Sequence, residues 1–249
     1  MKVVGIIPAR YNSSRFKGKA LADICGKPMI QHVYEQAKKA RLLDNLIVAT
    51  DDRRIYNTVI NFGGKAVLTK MHSSGTDRIA EAAKKIKADI IVNIQGDEPL
   101  ISSRMIDSAV SRFKKDKSAV MGTMKKEIAS IKEAHNPNIV KVITDKDNNA
   151  IYFSRLPIPF LRDENSKSKV PEKTYYKHIG LYLYKRPFLL KFSRMKQTLL
   201  EKKEKLEQLR ALENGYKIKV YETEYDTIGV DTPEDLKQVK KMICNGRKK

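Results

Sequence analysis

The sequence predicts an α/β protein with a Rossmann-like, mostly parallel sheet and helices on both faces of that sheet. Short apolar runs alternate with helical patterns four times within about the first 100 residues, as stacked β–α–β units do. The chain has 249 residues, of which 41% are hydrophobic and 32% charged. Such a composition is typical of a globular protein with a sizeable core. We therefore predict a single domain over residues 1–249.

Each strand predicted in the first half is a short apolar run rich in β-branched residues, as buried parallel strands are. The four runs are residues 3–7, 46–50, 66–69 and 90–94. Helical patterns occupy the stretches from Pro28, over 55–62 and over 77–87. Ligands of such sheets bind beyond the carboxyl ends of the strands. The polar segments that follow the first and fourth strands are therefore the candidate ligand sites.

The second half is less regular. Its predicted strands are residues 139–143, 150–153, 179–184 and 218–221, with a polar loop over 163–173. Residues 199–214 have a helical pattern, which Gly215 would end as a C-terminal cap. Thr232 and Pro233 have the residue types that begin a helix, as N-cap and first helical residue.

The sequence gives little support for a membrane protein or a zinc protein. It has no run of 18 apolar residues, and its first apolar stretch is too short for a signal peptide. Cys25 and Cys244 are far apart and fit neither a disulfide framework nor a zinc site. We expect reduced thiols and a cytoplasmic location.

The charge balance is strongly basic, because 50 lysines and arginines face 29 acidic residues, for a net charge of +21. Such a surplus attracts polyanions, including nucleotides and nucleic acids. The lysines are scattered in short groups along helical stretches, and aromatic residues do not interleave with them as a stacking platform requires. This pattern favours a solvated basic surface and leaves a nucleic-acid-binding protein as the weaker alternative.

The segment after the first strand has the composition of a phosphate-binding loop. Its cations are Arg10, Arg15, Lys17 and Lys19, and its small residues are Ser13, Ser14 and Gly18. Guanidinium and ammonium groups bind phosphate oxygens, and small residues let backbone N–H groups approach them. The segment matches neither the Walker A pattern nor the dinucleotide fingerprint. A solvated loop is the alternative interpretation.

Ordered motifs along nearly the whole chain resemble those of the 3-deoxy-manno-octulosonate (Kdo) cytidylyltransferase family. The motifs are Ile6-Ile7-Pro8-Ala9-Arg10, Ser74-Gly75-Thr76-Asp77-Arg78, Asn93-Ile94-Gln95-Gly96-Asp97-Glu98-Pro99, Tyr152-Phe153-Ser154-Arg155, His178-Ile179-Gly180-Leu181-Tyr182, Leu206-Glu207-Gln208-Leu209-Arg210 and Gly229-Val230-Asp231-Thr232-Pro233-Glu234-Asp235. The family commonly has Leu-Pro where this chain has Phe16-Lys17, and proline where it has Ala20. The first motif alone would identify only the superfamily. The fourth, fifth and seventh motifs, which begin at Tyr152, His178 and Gly229, make the resemblance specific.

The resemblance implies a nucleotidyltransferase fold with a smaller subregion for dimerisation and sugar binding in the second half. It implies transfer of a cytidylyl group from CTP to the anomeric hydroxyl of Kdo for lipopolysaccharide synthesis, with Mg²⁺ as cofactor. CTP and a sugar acid would be the ligands of a homodimer, with no nucleic-acid partner and no membrane insertion. A related acid, such as 8-amino-Kdo or a sialic or other nonulosonic acid, stays open as the substrate.

The resemblance also implies roles for individual residues. The nucleotide-binding residues would be Ala9, Arg10, Ser13, Arg15, Lys19, Ser74, Gly75 and Arg78. The catalytic residues would be Arg15, Lys19, Asp97 and Asp231, and the two aspartates would also hold the metal. The sugar acid would be bound by Arg155, His178, Tyr182, Glu207 and Gln208. Each residue has a structural alternative: Arg78 as the partner of Glu81, His178 and Tyr182 as core residues, and Glu207 and Gln208 as a solvated helix face.

Overall fold

The computed structural model describes residues 1–12, 16–162 and 172–246. The strands are β1 (Val3–Ala9), β2 (Asp23–Ile24), β3 (Lys27–Pro28), β4 (Asn45–Thr50), β5 (Ala66–Leu68), β6 (Ile90–Asn93), β7 (Met121–Glu127), β8 (Lys141–Thr144), β9 (Ala150–Ser154), β10 (Tyr176–Lys185) and β11 (Lys219–Glu222). The helices are α1 (Met29–Lys38), α2 (Arg53–Asn61), α3 (Gly75–Lys84), α4 (Ser103–Lys115), α5 (Ile131–Ala134), α6 (Arg186–Phe192), α7 (Leu199–Glu204), α8 (Leu209–Glu213) and α9 (Pro233–Gly246), with a 3₁₀-helix at Lys19–Leu21.

The main sheet has the strand order β11-β7-β10-β6-β1-β4-β5. Strands β6, β1, β4 and β5 run parallel, which confirms the parallel sheet predicted from the first half. Strand β10 lies antiparallel between β6 and β7, and β11 pairs parallel with β7. Strands β8 and β9 form an antiparallel extension beside β10.

Both faces of the sheet are buried, which is why its strands read as continuous apolar runs. Along β1, Val3 and Ile7 belong to one core cluster, together with residues of α1 and α4. Val4 and Ile6 point to the other face and belong to a second cluster with residues of α3 and α6. The helices therefore form a layer on each face, as the sequence predicts.

The helix predicted over residues 199–214 is wrong as a single element. Lys205 adopts a left-handed conformation with φ of +56° and ends α7, and α8 begins only at Leu209. The break lets Leu206 and Leu209 both pack into the core. Gly215, at φ of +77°, follows the end of α8 as predicted. The polar loop predicted at 163–173 lies mostly outside the described residues.

The expectation of reduced thiols is also wrong, because Cys25 and Cys244 form a disulfide with a Cα–Cα distance of 6.0 Å. A small apolar cluster explains why these distant residues meet. Ile24 of β2 and Met29, the first residue of α1, pack against Val239 of α9, which brings the end of that helix to the β2–β3 hairpin. Long-range packing of this kind cannot be deduced from cysteine spacing. Within the described residues, no helix combines the length and the apolar character needed to cross a membrane.

Candidate active site

A cavity of about 350 Å³ lies at the carboxyl ends of β1 and β6. Its lining includes Pro8, Ala9, Arg10, Lys19, His72, Ser73, Ser74, Gly75, Arg78, Gln95, Gly96, Asp97 and Asp231. The two strand ends approach closely here, since a Cβ atom on Gly96 would lie 2.6 Å from the Pro8 carbonyl oxygen. Only glycine fits at this position, so Gly96 allows the segment that carries Asp97 to cross the end of β1.

The N-terminus of α3 opens onto this cavity. The Ser74 hydroxyl accepts a hydrogen bond from the Asp77 backbone N–H at 3.0 Å and thereby caps the helix. Gly75 lies against Pro8, where a Cβ atom would come within 3.5 Å of the proline ring. The unpaired N–H groups and the dipole of a helix N-terminus attract anions. Together with Arg10 and Lys19, they give the cavity the character of a phosphate site.

Arg78 is 2% exposed and is paired within the fold. Its guanidinium contacts the Asp51 carboxylate at 3.0 Å and donates to the Thr69 hydroxyl at 2.7 Å. The partner is therefore Asp51, at the end of β4, rather than Glu81. Arg78 also lines the cavity, so it lies where it can act on a ligand while it joins α3 to the strand ends.

Lys19 lies between Asp97 and Asp231. Its Nζ atom donates to Asp97 Oδ2 at 2.6 Å, to Asp231 Oδ1 at 3.1 Å and to the Val230 carbonyl at 3.1 Å. The backbones also meet, because the Val230 N–H donates to the Asp97 carbonyl at 2.9 Å. The Asp235 carboxylate accepts from the Asp231 and Thr232 N–H groups and holds the turn before α9. The two aspartates therefore converge although 134 positions separate residues 97 and 231.

The chemistry of this pair fits a hard divalent cation. Magnesium takes oxygen ligands, is held by one or two carboxylates and completes its shell with phosphate oxygens and water. The Lys19 ammonium already places a positive charge against both carboxylates. Among the residues that the structure describes, no group of three or more His, Cys, Asp or Glu side chains could hold a metal ion. A nucleotide bound in the cavity would add phosphate oxygens to the ligands of an ion held by Asp97 and Asp231.

Glu98, which follows Asp97, is buried. Burial, together with the charge of Asp97, raises the pKa of the Glu98 carboxyl to about 8. This carboxyl group therefore carries its proton at neutral pH, and its neutral form avoids adding a negative charge beside Asp97.

A second group of predicted residues adjoins the cavity through Thr76 of α3. The Thr76 hydroxyl donates to Glu207 Oε2 at 2.5 Å, and burial raises the pKa of Glu207. The next residue, Gln208, is 6% exposed, and its Nε2 atom has no hydrogen-bond partner in the described part of the chain. Glu207 and Gln208 thus lie on the inner side of the α7–α8 junction, not on a solvated helix face.

His178 and Tyr182 lie together on β10, with ring centroids 5.3 Å apart. The His178 Nε2 atom lies 2.9 Å from the Thr123 hydroxyl, and burial lowers the pKa of His178 to about 3. Burial likewise raises the pKa of Tyr182. His178 also lines a second cavity, of about 520 Å³, whose wall includes Asp231. Asp231 therefore belongs to the walls of both cavities.

Arg155 is engaged with backbone carbonyls instead. Its Nε atom donates to the Glu204 carbonyl at 2.8 Å and its Nη1 atom to the Pro137 carbonyl at 3.0 Å. In the described part of the chain, the linings of these two cavities do not include Arg155. The structure thus does not bring Arg155 onto either cavity wall. Ser13 and Arg15 lie outside the described residues.

Sequence reasoning assigned no role to several residues that line the first cavity, among them His72 and Gln95. His72 Nε2 lies 2.6 Å from Glu81 Oε2, and His72 is part of the cavity wall. Gln95 donates from Nε2 to the Gly180 carbonyl at 3.0 Å and joins β6 to β10. The signal was position, since His72 lies just before the motif that begins at Ser74, and Gln95 lies within the motif that contains Asp97.

Comparison with known proteins identifies the family. The Cytidylyltransferase family profile matches residues 4–218 of the chain. The chain belongs to the cytidylyltransferase family. A 3-deoxy-manno-octulosonate cytidylyltransferase from Geotalea uraniireducens (strain Rf4) is 55% identical over 96% of this chain and 98% of that protein. Another, from Trichlorobacter lovleyi, is 52% identical over 99% of this chain and all of that protein.

A solved structure agrees with this cytidylyltransferase assignment. The structure of a CMP:2-keto-3-deoxy-manno-octonic acid synthetase complexed with CTP superposes with a TM-score of 0.92 at 42% identity. The match covers 99% of this chain and all of that one. The resemblance to the Kdo cytidylyltransferases is therefore confirmed, and so is the α/β nucleotidyltransferase fold.

Proposed function

We propose that this cytidylyltransferase transfers a cytidylyl group from CTP to the anomeric hydroxyl of Kdo, releasing pyrophosphate and CMP-Kdo for lipopolysaccharide synthesis. The observation that carries the proposal is the convergence of Lys19, Asp97 and Asp231 at a cavity capped by the N-terminus of α3. Near full-length similarity to Kdo cytidylyltransferases supports the choice of substrate. Activation of a related sugar acid is the second candidate.

The triphosphate would be held by groups that the first cavity already presents. We propose that Ala9, Arg10, Lys19 and the N-terminus of α3 bind its oxygens, together with Ser13 and Arg15. Such contacts orient the α-phosphorus for in-line displacement, a reaction that depends on positioning and charge neutralisation. A magnesium ion on Asp97 and Asp231 would supply Lewis-acid stabilisation of the phosphate charge.

The sugar acid would be bound beside the α-phosphorus by His178, Tyr182, Glu207 and Gln208. The buried Gln208 Nε2 donor has no partner among the residues that the structure describes, and a sugar hydroxyl would satisfy it. Arg155 has five N–H donors, and its contacts with the Glu204 and Pro137 carbonyls use two of them. We propose that the remaining donors bind the substrate carboxylate, while the carbonyl contacts fix the guanidinium.

The assembly and location belong to the same proposal. Leu156 and Phe160 are 69% and 87% exposed, and Ile151 on β9 is 57% exposed. Exposed apolar side chains close in sequence mark a contact surface, and we propose that it pairs two copies of this chain. We further propose a cytoplasmic enzyme that acts as one unit over residues 1–249.

Pyrophosphate release in the presence of magnesium tests the function. We expect release from CTP with Kdo, and little release with ATP or GTP. A panel of Kdo, 8-amino-Kdo and sialic acid identifies the acceptor by its kcat/KM. The Asp97→Asn variant controls for contaminating activity. Absence of release with every acid would refute cytidylyl transfer, whereas preference for another acid would refute only Kdo.

A further inference from the structure

All three hydrogen-bond donors of the Lys19 ammonium are used within the protein. An ammonium group has three donors and no acceptor. In this structure the three acceptors are Asp97 Oδ2, Asp231 Oδ1 and the Val230 carbonyl, at 2.6, 3.1 and 3.1 Å. Two of them are the carboxylates proposed to hold the metal. The positive charge of this lysine therefore lies where a divalent cation would have to bind both aspartates.

The aspartates do not need Lys19 to come together. The Val230 N–H donates to the Asp97 carbonyl, and the Asp235 carboxylate accepts from the Asp231 N–H. These bonds involve backbone groups and fix both segments. Removing the ammonium would therefore leave both carboxylates in place and remove the positive charge that lies between them.

The backbone of Lys19 is fixed, while its side chain has a long stem. Gly18 precedes it at φ of +73°, and Ala20 after it is 4% exposed. The ammonium ends a flexible four-carbon chain, which can move without the backbone. The same cavity contains the N-terminus of α3, where phosphates are expected. The Lys19 ammonium can therefore exchange carboxylate for phosphate acceptors.

We propose that Lys19 is a positioning residue that occupies the divalent-cation site of the free protein and leaves it when the nucleotide arrives. The nucleotide phosphates draw the ammonium away, and Asp97 and Asp231 then bind the cation in its place. Metal and nucleotide binding are coupled through this one side chain. The inference rests on the proposed function, because CTP is the ligand that supplies the phosphates.

Binding of Mn²⁺, measured by electron paramagnetic resonance, tests this role without turnover. The protein is titrated alone and with the non-hydrolysable α,β-methylene analogue of CTP. Lys19→Met removes the charge and keeps the length of the side chain. We expect it to tighten Mn²⁺ binding to the free protein by at least about tenfold, because a unit charge within a few ångströms is lost. Lys19→Gln should act in the same direction, and Lys38→Met, at an exposed lysine of α1, should change nothing.

The nucleotide analogue should tighten Mn²⁺ binding by at least about tenfold in the wild type and by much less in Lys19→Met. The Asp97→Asn change, added to Lys19→Met, should abolish the tightened binding and so place it at this pair. Unchanged or weaker Mn²⁺ binding by both folded Lys19 variants would overturn the proposal. Equal nucleotide effects in wild type and variant would overturn it too. Titration of the free protein uses neither CTP nor a sugar acid. It therefore tests the effect of Lys19 on Mn²⁺ binding even if the proposed function is wrong.

Discussion

Asp97 and Asp231 lie close together because a backbone hydrogen bond joins their two loops. The Val230 N–H donates to the Asp97 carbonyl. Their carboxylates are therefore placed by groups that substitution of the side chain does not remove. Because backbone bonds place the two residues, an aspartate-to-asparagine change can remove the charge and keep the position of the side chain. The cost of losing one carboxylate should appear in catalysis and hardly in folding.

Asp97→Asn and Asp231→Asn should each lower kcat/KM by about 10²- to 10⁴-fold, because each removes a metal-binding charge. The melting temperature without ligands should stay near that of the wild type. Pyrophosphate release and calorimetry give the two values. Asp23→Asn, at an exposed aspartate, is the matched control. Activity within tenfold of wild type would contradict the metal role.

Arg155→Ala should raise the KM for the sugar acid and lower kcat/KM by roughly 30- to 1000-fold, because a bidentate contact with the carboxylate is lost. CTP affinity measured by calorimetry should hardly change. Arg155 also holds the Glu204 and Pro137 carbonyls, so the melting temperature should fall by a few degrees. A lowered CTP affinity at an unchanged sugar KM would contradict the assignment.

His178 gives the stability of the protein a pH dependence. Burial lowers its pKa to about 3, whereas the histidine of the unfolded chain titrates near 6.5. Below pH 6.5 the unfolded chain binds a proton that the folded protein does not bind, so stability falls as the pH falls. Between pH 7.5 and 5.5 the wild type should lose about 1 kcal/mol more than His178→Gln.

Urea denaturation at a series of pH values measures this difference. His135→Gln, at an exposed histidine, is the control and should keep the slope of the wild type. Parallel stability curves for wild type and His178→Gln would show that His178 titrates normally in the folded protein.

At the scale of elements, α7 and α8 are joined by a buried ion pair. The Arg210 guanidinium contacts the Glu201 carboxylate with Nε and Nη2, and the two side chains are 5% and 6% exposed. Arg210 also lies 3.4 Å from Glu207. The pair thus fixes the helix junction from which Glu207 and Gln208 reach the proposed sugar site.

Glu201→Gln should lower the free energy of unfolding by about 3–5 kcal/mol, because it leaves the Arg210 charge buried without a full partner. Urea denaturation, with the m-value compared, measures the loss. Glu224→Gln, at an exposed glutamate, should change little. A loss below about 1 kcal/mol would mean that water reaches the guanidinium.

The same scale shows what sequence can and cannot predict. Buried parallel strands such as β1 and β6 were predictable, because a strand covered on both faces is apolar throughout. Strand β7 was missed, since its Lys125 is 6% exposed and donates to the Thr144 hydroxyl, while lysine normally signals surface. The helix break at Lys205 was missed because tertiary packing, not local preference, ends α7 there.

The candidate site also has parts that the sequence predicts and parts that it does not. The rule that ligands bind at strand ends predicted the segments around Arg10 and Asp97 without any relative. Partners distant in sequence, such as Asp51 for Arg78, could not be predicted, because pairing between loops depends on the complete fold.

At the scale of the whole molecule, the Cys25–Cys244 disulfide closes a loop over 219 positions. It ties the far end of α9 to the β2–β3 hairpin, and the near end of that helix follows Asp231. A reductant, or Cys244→Ser, should lower the free energy of unfolding by about 2–5 kcal/mol. Denaturation with and without dithiothreitol measures the change, and Cys244→Ser should no longer respond to the reductant.

Thiol titration of the native protein is the direct check of this bond. Within the described residues there is no free cysteine, so the unreduced protein should show none. Two thiols that react in the native, unreduced protein would contradict the disulfide and restore the expectation of reduced cysteines.

The bond between the Val230 N–H and the Asp97 carbonyl has a consequence for synthesis of the protein. A ribosome adds Asp97 first and adds Asp231 134 residues later. At roughly 5–20 residues per second, this interval lasts roughly 7 to 27 seconds. Throughout it, the nascent chain carries the strand ends and the first carboxylate without the second. The growing polypeptide thus cannot assemble the acidic pair until the ribosome has added Asp231.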